Sequence, residues 1–95
     1  MTGSGPEPGW RVVLAPAAQR QLRRLPPSDA ARLRAPILSL GYDPRPPGSA
    51  HVRGSGFLRV RSGDLRVVHA VDDRAREVVV LRVARRSEST YRRVR

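Results

Sequence analysis

The chain has 95 residues, with 19 basic and 8 acidic side chains giving a formal net charge of +11. It contains no cysteine and only two histidines, His51 and His69, which excludes a disulfide framework, cysteine chemistry and a histidine-rich metal site. No apolar run approaches the roughly 20 residues needed to cross a bilayer, and the first nine residues lack the basic and apolar regions of a secretory signal. The expectation is therefore a single small cytoplasmic domain, with no membrane association, metal or cofactor. Every basic residue is Arg, and there is no Lys. Base composition can favour Arg over Lys, but it does not explain an excess of 11 positive charges over the acids. Such an excess on a small body draws polyanions: RNA, DNA, the ribosome or an acidic protein.

Residues 1–9, rich in Gly and Pro, read as a disordered tail, and residues 10–95 as one domain. Trp10–Leu14 is short, aromatic and β-branched, and reads as a strand. Pro16 suits a helix's first turn, and Ala18, Leu22 and Leu25 follow at helical spacing until Pro26-Pro27 ends the element. Ser28 or Asp29 can cap a second helix, whose apolar positions are Ala30, Leu33, Ile37 and Leu40, with Gly41 as its stop. Pro36 lies inside that pattern, which predicts a kink or break near Ala35. The two helices should form an antiparallel hairpin. Asp43 to Ser55, punctuated by Pro and Gly, reads as a long loop.

Beyond the loop the period becomes two. Leu58 and Val60 fall on one face, Arg59 and Arg61 on the other, and Gly63-Asp64 makes a turn. Leu65–Val71 and Glu77–Ala84 read as two further apolar strands. The order β-α-α-β-β-β implies an α+β fold, with a helical hairpin on one face of a roughly four-stranded antiparallel sheet.

If those last three strands are neighbours, Arg59, Arg61, Arg66 and the Arg85-Arg86 pair converge on one polar surface. A cluster of like charges adds nothing to folding, and bidentate phosphate recognition is the usual reason to keep one. The alternative is a set of solvated strand ends, paired with Asp64, Asp72, Asp73 and Glu77. Tyr91 could stack on a base, reach a phosphate oxygen, or anchor the C-terminus on the sheet. His69, within an apolar strand, reads as a core or rim residue rather than a catalytic one. His51, in a loop beside Arg53, is a candidate general acid or base.

The run Leu58-Arg59-Val60-Arg61-Ser62-Gly63-Asp64-Leu65-Arg66-Val67-Val68-His69 resembles the strand–turn–strand signature of the RelE/ParE toxin superfamily. The tail Val83-Ala84-Arg85-Arg86-Ser87-Glu88-Ser89-Thr90-Tyr91-Arg92 resembles its closing basic motif, and Ala17–Pro26 its first helix. The resemblance spans roughly residues 10–92 and is nearer to RelE than to ParE. It implies a microbial-ribonuclease-like fold and a type II toxin restrained by a cognate antitoxin. It further implies a metal-independent mRNA endonuclease acting on the ribosome. By motif, Arg59, Arg61, Arg66, Arg86 and Tyr91 would be its catalytic residues, with Arg53 and Arg85 as further RNA contacts. Arg stands at 59 and 61 where members carry Lys, and Leu65 replaces an aromatic. An arginine keeps its proton to about pH 12, so neither can be the base, and Tyr91, His51 and ribosomal groups stay open for proton transfer. A ParE-like inhibitor of DNA gyrase and a non-catalytic nucleic-acid-binding domain are the competing readings.

Overall fold

A computed structural model describes residues 7–85. The elements run β1 (Arg11–Leu14), α1 (Pro16–Arg24), α2 (Pro27–Ser39), β2 (Ala50–His51), β3 (Leu58–Ser62), β4 (Leu65–Asp72) and β5 (Glu77–Arg85). They form an α+β fold in which a helical hairpin covers one face of a five-stranded sheet ordered β1-β5-β4-β3-β2. The expected α+β class and helix pair are present, and the sheet differs from expectation in two ways. β1 pairs parallel to β5 rather than antiparallel, because the intervening helices form the crossover that a parallel pair needs. The expected loop 43–55 also contains β2, which pairs Ala50 with Arg59 and His51 with Leu58.

The hairpin forms through proline placement. Pro16 opens α1 and Pro27 opens α2, both where a missing N–H costs nothing. The cap of α2 is therefore Pro26, whose carbonyl accepts from Asp29 and Ala30, and neither Ser28 nor Asp29 caps it. No break occurs at Pro36: α2 continues to Ser39. A proline there removes one hydrogen bond near the end of the helix, and Leu33, Ile37 and Leu40, all buried on the core face, hold the last turn against the sheet. The helix ends at Ser39 with Leu40 as its cap, and Gly41, just beyond, serves through its small size. A Cβ there would lie 3.1 Å from the Trp10 carbonyl oxygen and 3.2 Å from Pro8, where the chain enters β1.

The core joins Ala18 of α1 and Leu33, Ile37 and Leu40 at the α2 end to Leu65, Val67, Val78, Val80 and Val83 of the sheet. Each such Val or Leu, fully buried, contributes about 1.5–3 kcal/mol before the entropy of ordering is counted. Gly63 has φ of 63° while Asp64 does not share a positive φ, the pattern of a type II′ hairpin turn between β3 and β4. One irregularity in β5 controls the site. Val68 pairs with Arg82 but His69 pairs with Val80, so Leu81 is an extra residue without a partner on β4. A bulge of this kind reverses the inward–outward alternation beyond it.

The arginine face, a candidate nucleic-acid interface

Period two from Val78 and Val80 would turn Arg82 inward. The bulge at Leu81 instead puts Val83 in the core and Arg82 on the solvent face. The register then sets two rows across that face. Arg59, Val68 and Arg82 lie side by side, and in the next row Arg61, Arg66 and Ala84 do the same. Arg59 and Arg66 are diagonal neighbours, as are Arg66 and Arg82, with backbones about 7–8 Å apart. Together with Val52 from the turn after β2, these side chains line a hollow of about 170 Å3, with Val68 and Ala84 as its small apolar floor. Among the described residues, no carboxylate lines it.

Arg61 and Arg66 lie directly opposite each other, an arrangement in which like charges repel. Among the described residues, Arg59, Arg61 and Arg82 join no ion pair. Three of the described acidic side chains near these strands are engaged elsewhere. Glu77 pairs with Arg11, Asp73 with Arg45, and Asp72 accepts the Ala75 N–H in the β4–β5 turn. The pairing with Asp64, Asp72, Asp73 and Glu77 that could have dispersed the cluster thus does not reach these three arginines.

Arg85 is the exception. The bulge that turns Arg82 outward turns Arg85 to the helix side, where its guanidinium donates to Asp29 of α2 and, at 2.7 Å, to Asp64. Arg32 joins the same network through Asp29 at 3.0 Å and Asp64 at 3.7 Å. These bonds raise the Arg85 pKa above its already high value, and the Arg85 hydrogen bond holds the Asp64 carboxyl below the usual carboxylate range. Arg85 therefore ties β5 to α2 and to the β3–β4 turn, and does not face the hollow. Arg53 lies exposed in the turn beyond Val52 and does not line it either. Arg86 and Tyr91 lie outside the described residues. Arg82 was missed by sequence reading, although it is the single charged residue in the run Val78-Val79-Val80-Leu81-Arg82-Val83.

Neither histidine reaches the hollow. His51 pairs with Leu58, a core-side residue, and so belongs to the opposite face of the sheet. His69 is fully buried, and its Nε2–H donates to the Pro44 carbonyl at 2.8 Å, tying the loop after α2 to β4. Burial, more than the nearby Arg45, pushes its pKa below the ordinary histidine range, against the pull of the Pro44 bond. Because the unfolded chain then binds more protons than the folded one, stability should be full above neutrality. It should fall as pH drops through about 6.5, the unfolded value, towards the folded one. Thermal melts at pH 7.5 and 5.5 should show this loss, and His69→Gln, which keeps a donor for Pro44, should flatten it. The Asp64 and Asp73 carboxyls, both lowered by arginine partners, lose their contribution only in more acidic solution. An equal loss in His69→Gln would assign the effect to another group.

Among the described residues no three His, Cys, Asp or Glu side chains gather in a metal-binding cluster, and no helix is long and apolar enough to cross a membrane. What the hollow offers is fixed positive charge around a small cleft, suited to a phosphate or another oxyanion.

Comparison with known proteins agrees with this architecture. The sequence model of the family described as ParE toxin of type II toxin-antitoxin system, parDE, matches residues 12–90. Among solved structures, the RelBE2 toxin–antitoxin complex from Mycobacterium tuberculosis is similar at 28% identity and TM-score 0.73, over 82% of this chain and 99% of that one. The RelE–RelB complex from Pyrococcus horikoshii is similar at 25% identity and TM-score 0.72, over 82% and 96%. The intact RelBE complex of E. coli shares the fold at 22% identity and TM-score 0.69, over 80% and 95%. No curated protein sequence gives a significant match. With nearly all of the chain from β1 onward matched, the protein belongs to the ParE toxin family of type II toxin–antitoxin systems, within the RelE/ParE superfamily.

Proposed function

We propose that this toxin is a ribosome-dependent mRNA endonuclease that stops translation in the cytoplasm, and that the arginine face is where it holds the message. The observation that carries the reading is the hollow itself, where Arg59, Arg66 and Arg82 converge around one small space. In the reaction, the message's 2′-oxygen attacks the adjacent phosphorus and the bond from phosphorus to the 5′-oxygen breaks. The products are a 2′,3′-cyclic phosphate and a free 5′-OH, and no metal or cofactor is used. Arg59, Arg66 and Arg82 would bind the phosphate and stabilise the charge growing on its oxygens, with Arg61 extending the strip along the strand. The ribosome would hold the message near its reactive geometry. The proton leaving the 2′-OH and the one reaching the 5′-oxygen need other groups, for which Tyr91 and the ribosome are the candidates, with Arg86 as a further phosphate ligand.

A cognate antitoxin is the natural partner of such a toxin, and the three structures named above are toxin–antitoxin complexes. An apolar hollow of about 310 Å3 between the helices, lined by Leu14, Leu22, Ala30, Ile37 and Leu38 with Arg34 among them, suits an acidic amphipathic segment of that antitoxin.

A second reading, inhibition of DNA gyrase, is favoured by one observation: among the described residues, no side chain lining the arginine hollow can accept a proton near neutral pH. Induced expression of the chain alone in a bacterial host, with mapping of mRNA 5′ ends, separates the two. New 5′-OH ends at in-frame codon positions are expected, and they should vanish in Arg82→Ala. Growth arrest with DNA-damage signalling and no new ends would select gyrase instead.

A further inference from the structure

The chain contains a single Phe, and it is exposed: Phe57 keeps 38% of its surface accessible. Its position follows from the β2–β3 pairing. Ala50 pairs with Arg59 and His51 with Leu58, so the next rung sets Val52 opposite Phe57. The Val52 N–H donates to the Phe57 carbonyl at 2.9 Å, which extends the ladder by that rung. Directly opposed residues share a face, and Val52 lines the arginine hollow. Phe57, Arg59 and Arg61 therefore follow one another along the arginine side of a single strand, about 6.8 Å apart by strand rise. The turn that presents Phe57 is built for a fixed approach: Gly54 and Gly56 take positive φ, and the Phe57 N–H donates to Ser55 Oγ at 3.0 Å.

We propose that Phe57 is a base-stacking platform, on which an unpaired base of single-stranded RNA lies while Arg59 and its neighbours hold the adjoining phosphate. An exposed ring beside fixed guanidinium groups is the pairing from which single-strand sites are made, with the charges tracking the backbone and the ring taking a base face. A ring gives little sequence preference by itself, so Phe57 fixes where a nucleotide sits rather than which base it carries. The inference rests on the nucleic-acid reading of the arginine face.

The test uses the purified full chain and a short oligoribonucleotide carrying 2-aminopurine, whose fluorescence falls on stacking. Binding should quench the probe, and Phe57→Leu should abolish the quenching and weaken affinity about tenfold. Phe57→Tyr, which keeps the ring, should retain both. The slope of affinity against salt should be unchanged in Phe57→Leu, which touches no phosphate, and should shrink by about 0.7 in Arg59→Gln. Equal quenching and affinity in a folded Phe57→Leu variant would overturn the stacking role and leave the arginine face intact as an RNA site. Loss of antitoxin affinity in Phe57→Leu with RNA binding unchanged would assign the ring to a protein interface and also overturn it. Failure of the unsubstituted chain to bind the RNA either free or presented on a ribosome would overturn both readings together.

Discussion

Arg82→Ala should abolish growth arrest while leaving the fold intact, and Arg85→Ala should do the reverse in kind, lowering stability first. The two residues are three apart on β5 and would pass as equivalent members of one basic tail. The bulge at Leu81 separates them: Arg82 lines the hollow, and Arg85 is bonded to Asp29 and Asp64 on the other side of the sheet. Arg82 is exposed and makes no ion pair among the described residues, so its removal should change stability by no more than about 0.5 kcal/mol, or raise it slightly by relieving repulsion. Removing one preorganised donor to a developing oxyanion typically costs about 10²–10³ in rate. Arg59→Ala should behave like Arg82→Ala. Growth arrest titrated by inducer, together with a thermal melt of each purified variant, checks both halves. Full arrest by folded Arg59→Ala and Arg82→Ala variants would remove the function from this face.

What the sequence disclosed and what it hid have distinct physical causes. Local signals placed the helices and strands well, because prolines mark helix starts, and period two marks Leu58 to Ser62 without reference to any other part of the chain. Arg59, Arg61 and Arg66 could be put on one surface because a two-residue turn fixes the register of β3 against β4. The face of Arg82 and Arg85 depends on a bulge that local periodicity does not encode, since Val80-Leu81 reads as two ordinary strand residues. The parallel pairing of β1 is likewise a consequence of packing, fixed only once the helices lie across β5 and β3. Asp29 misled for a similar reason. An acid at a helix start is a good cap on local grounds, but its carboxylate is turned under the helix towards an arginine 56 residues away.

That carboxylate is also where the fold is most exposed to a single change. Asp29 is 8% exposed, and its two oxygens are divided between Arg32 at 3.0 Å and Arg85. Replacing it with Ala leaves Arg85 with Asp64 alone and removes the link between the first turn of α2 and the last residue of β5. Breaking a buried pair by deleting one partner costs about 3–5 kcal/mol, and the partial exposure of both arginines screens this to about 2–3 kcal/mol. In a domain of this size that is a fall in Tm of roughly 10–20 °C. Asp29→Ala should therefore lose activity by unfolding, and recover it when low temperature restores the fold, which Arg82→Ala cannot do. A double-mutant cycle with Arg85→Ala isolates the pair, with an expected coupling of about 1–3 kcal/mol. Replacing both partners with apolar residues of similar volume, Asp29→Leu with Arg85→Met, should return most of the lost stability, because the cost lies in a charge left without its partner rather than in the absence of the pair. A cycle that sums to zero would mean that Asp29 acts through Arg32 or the α2 N-terminus, and that the end of β5 is held by Asp64.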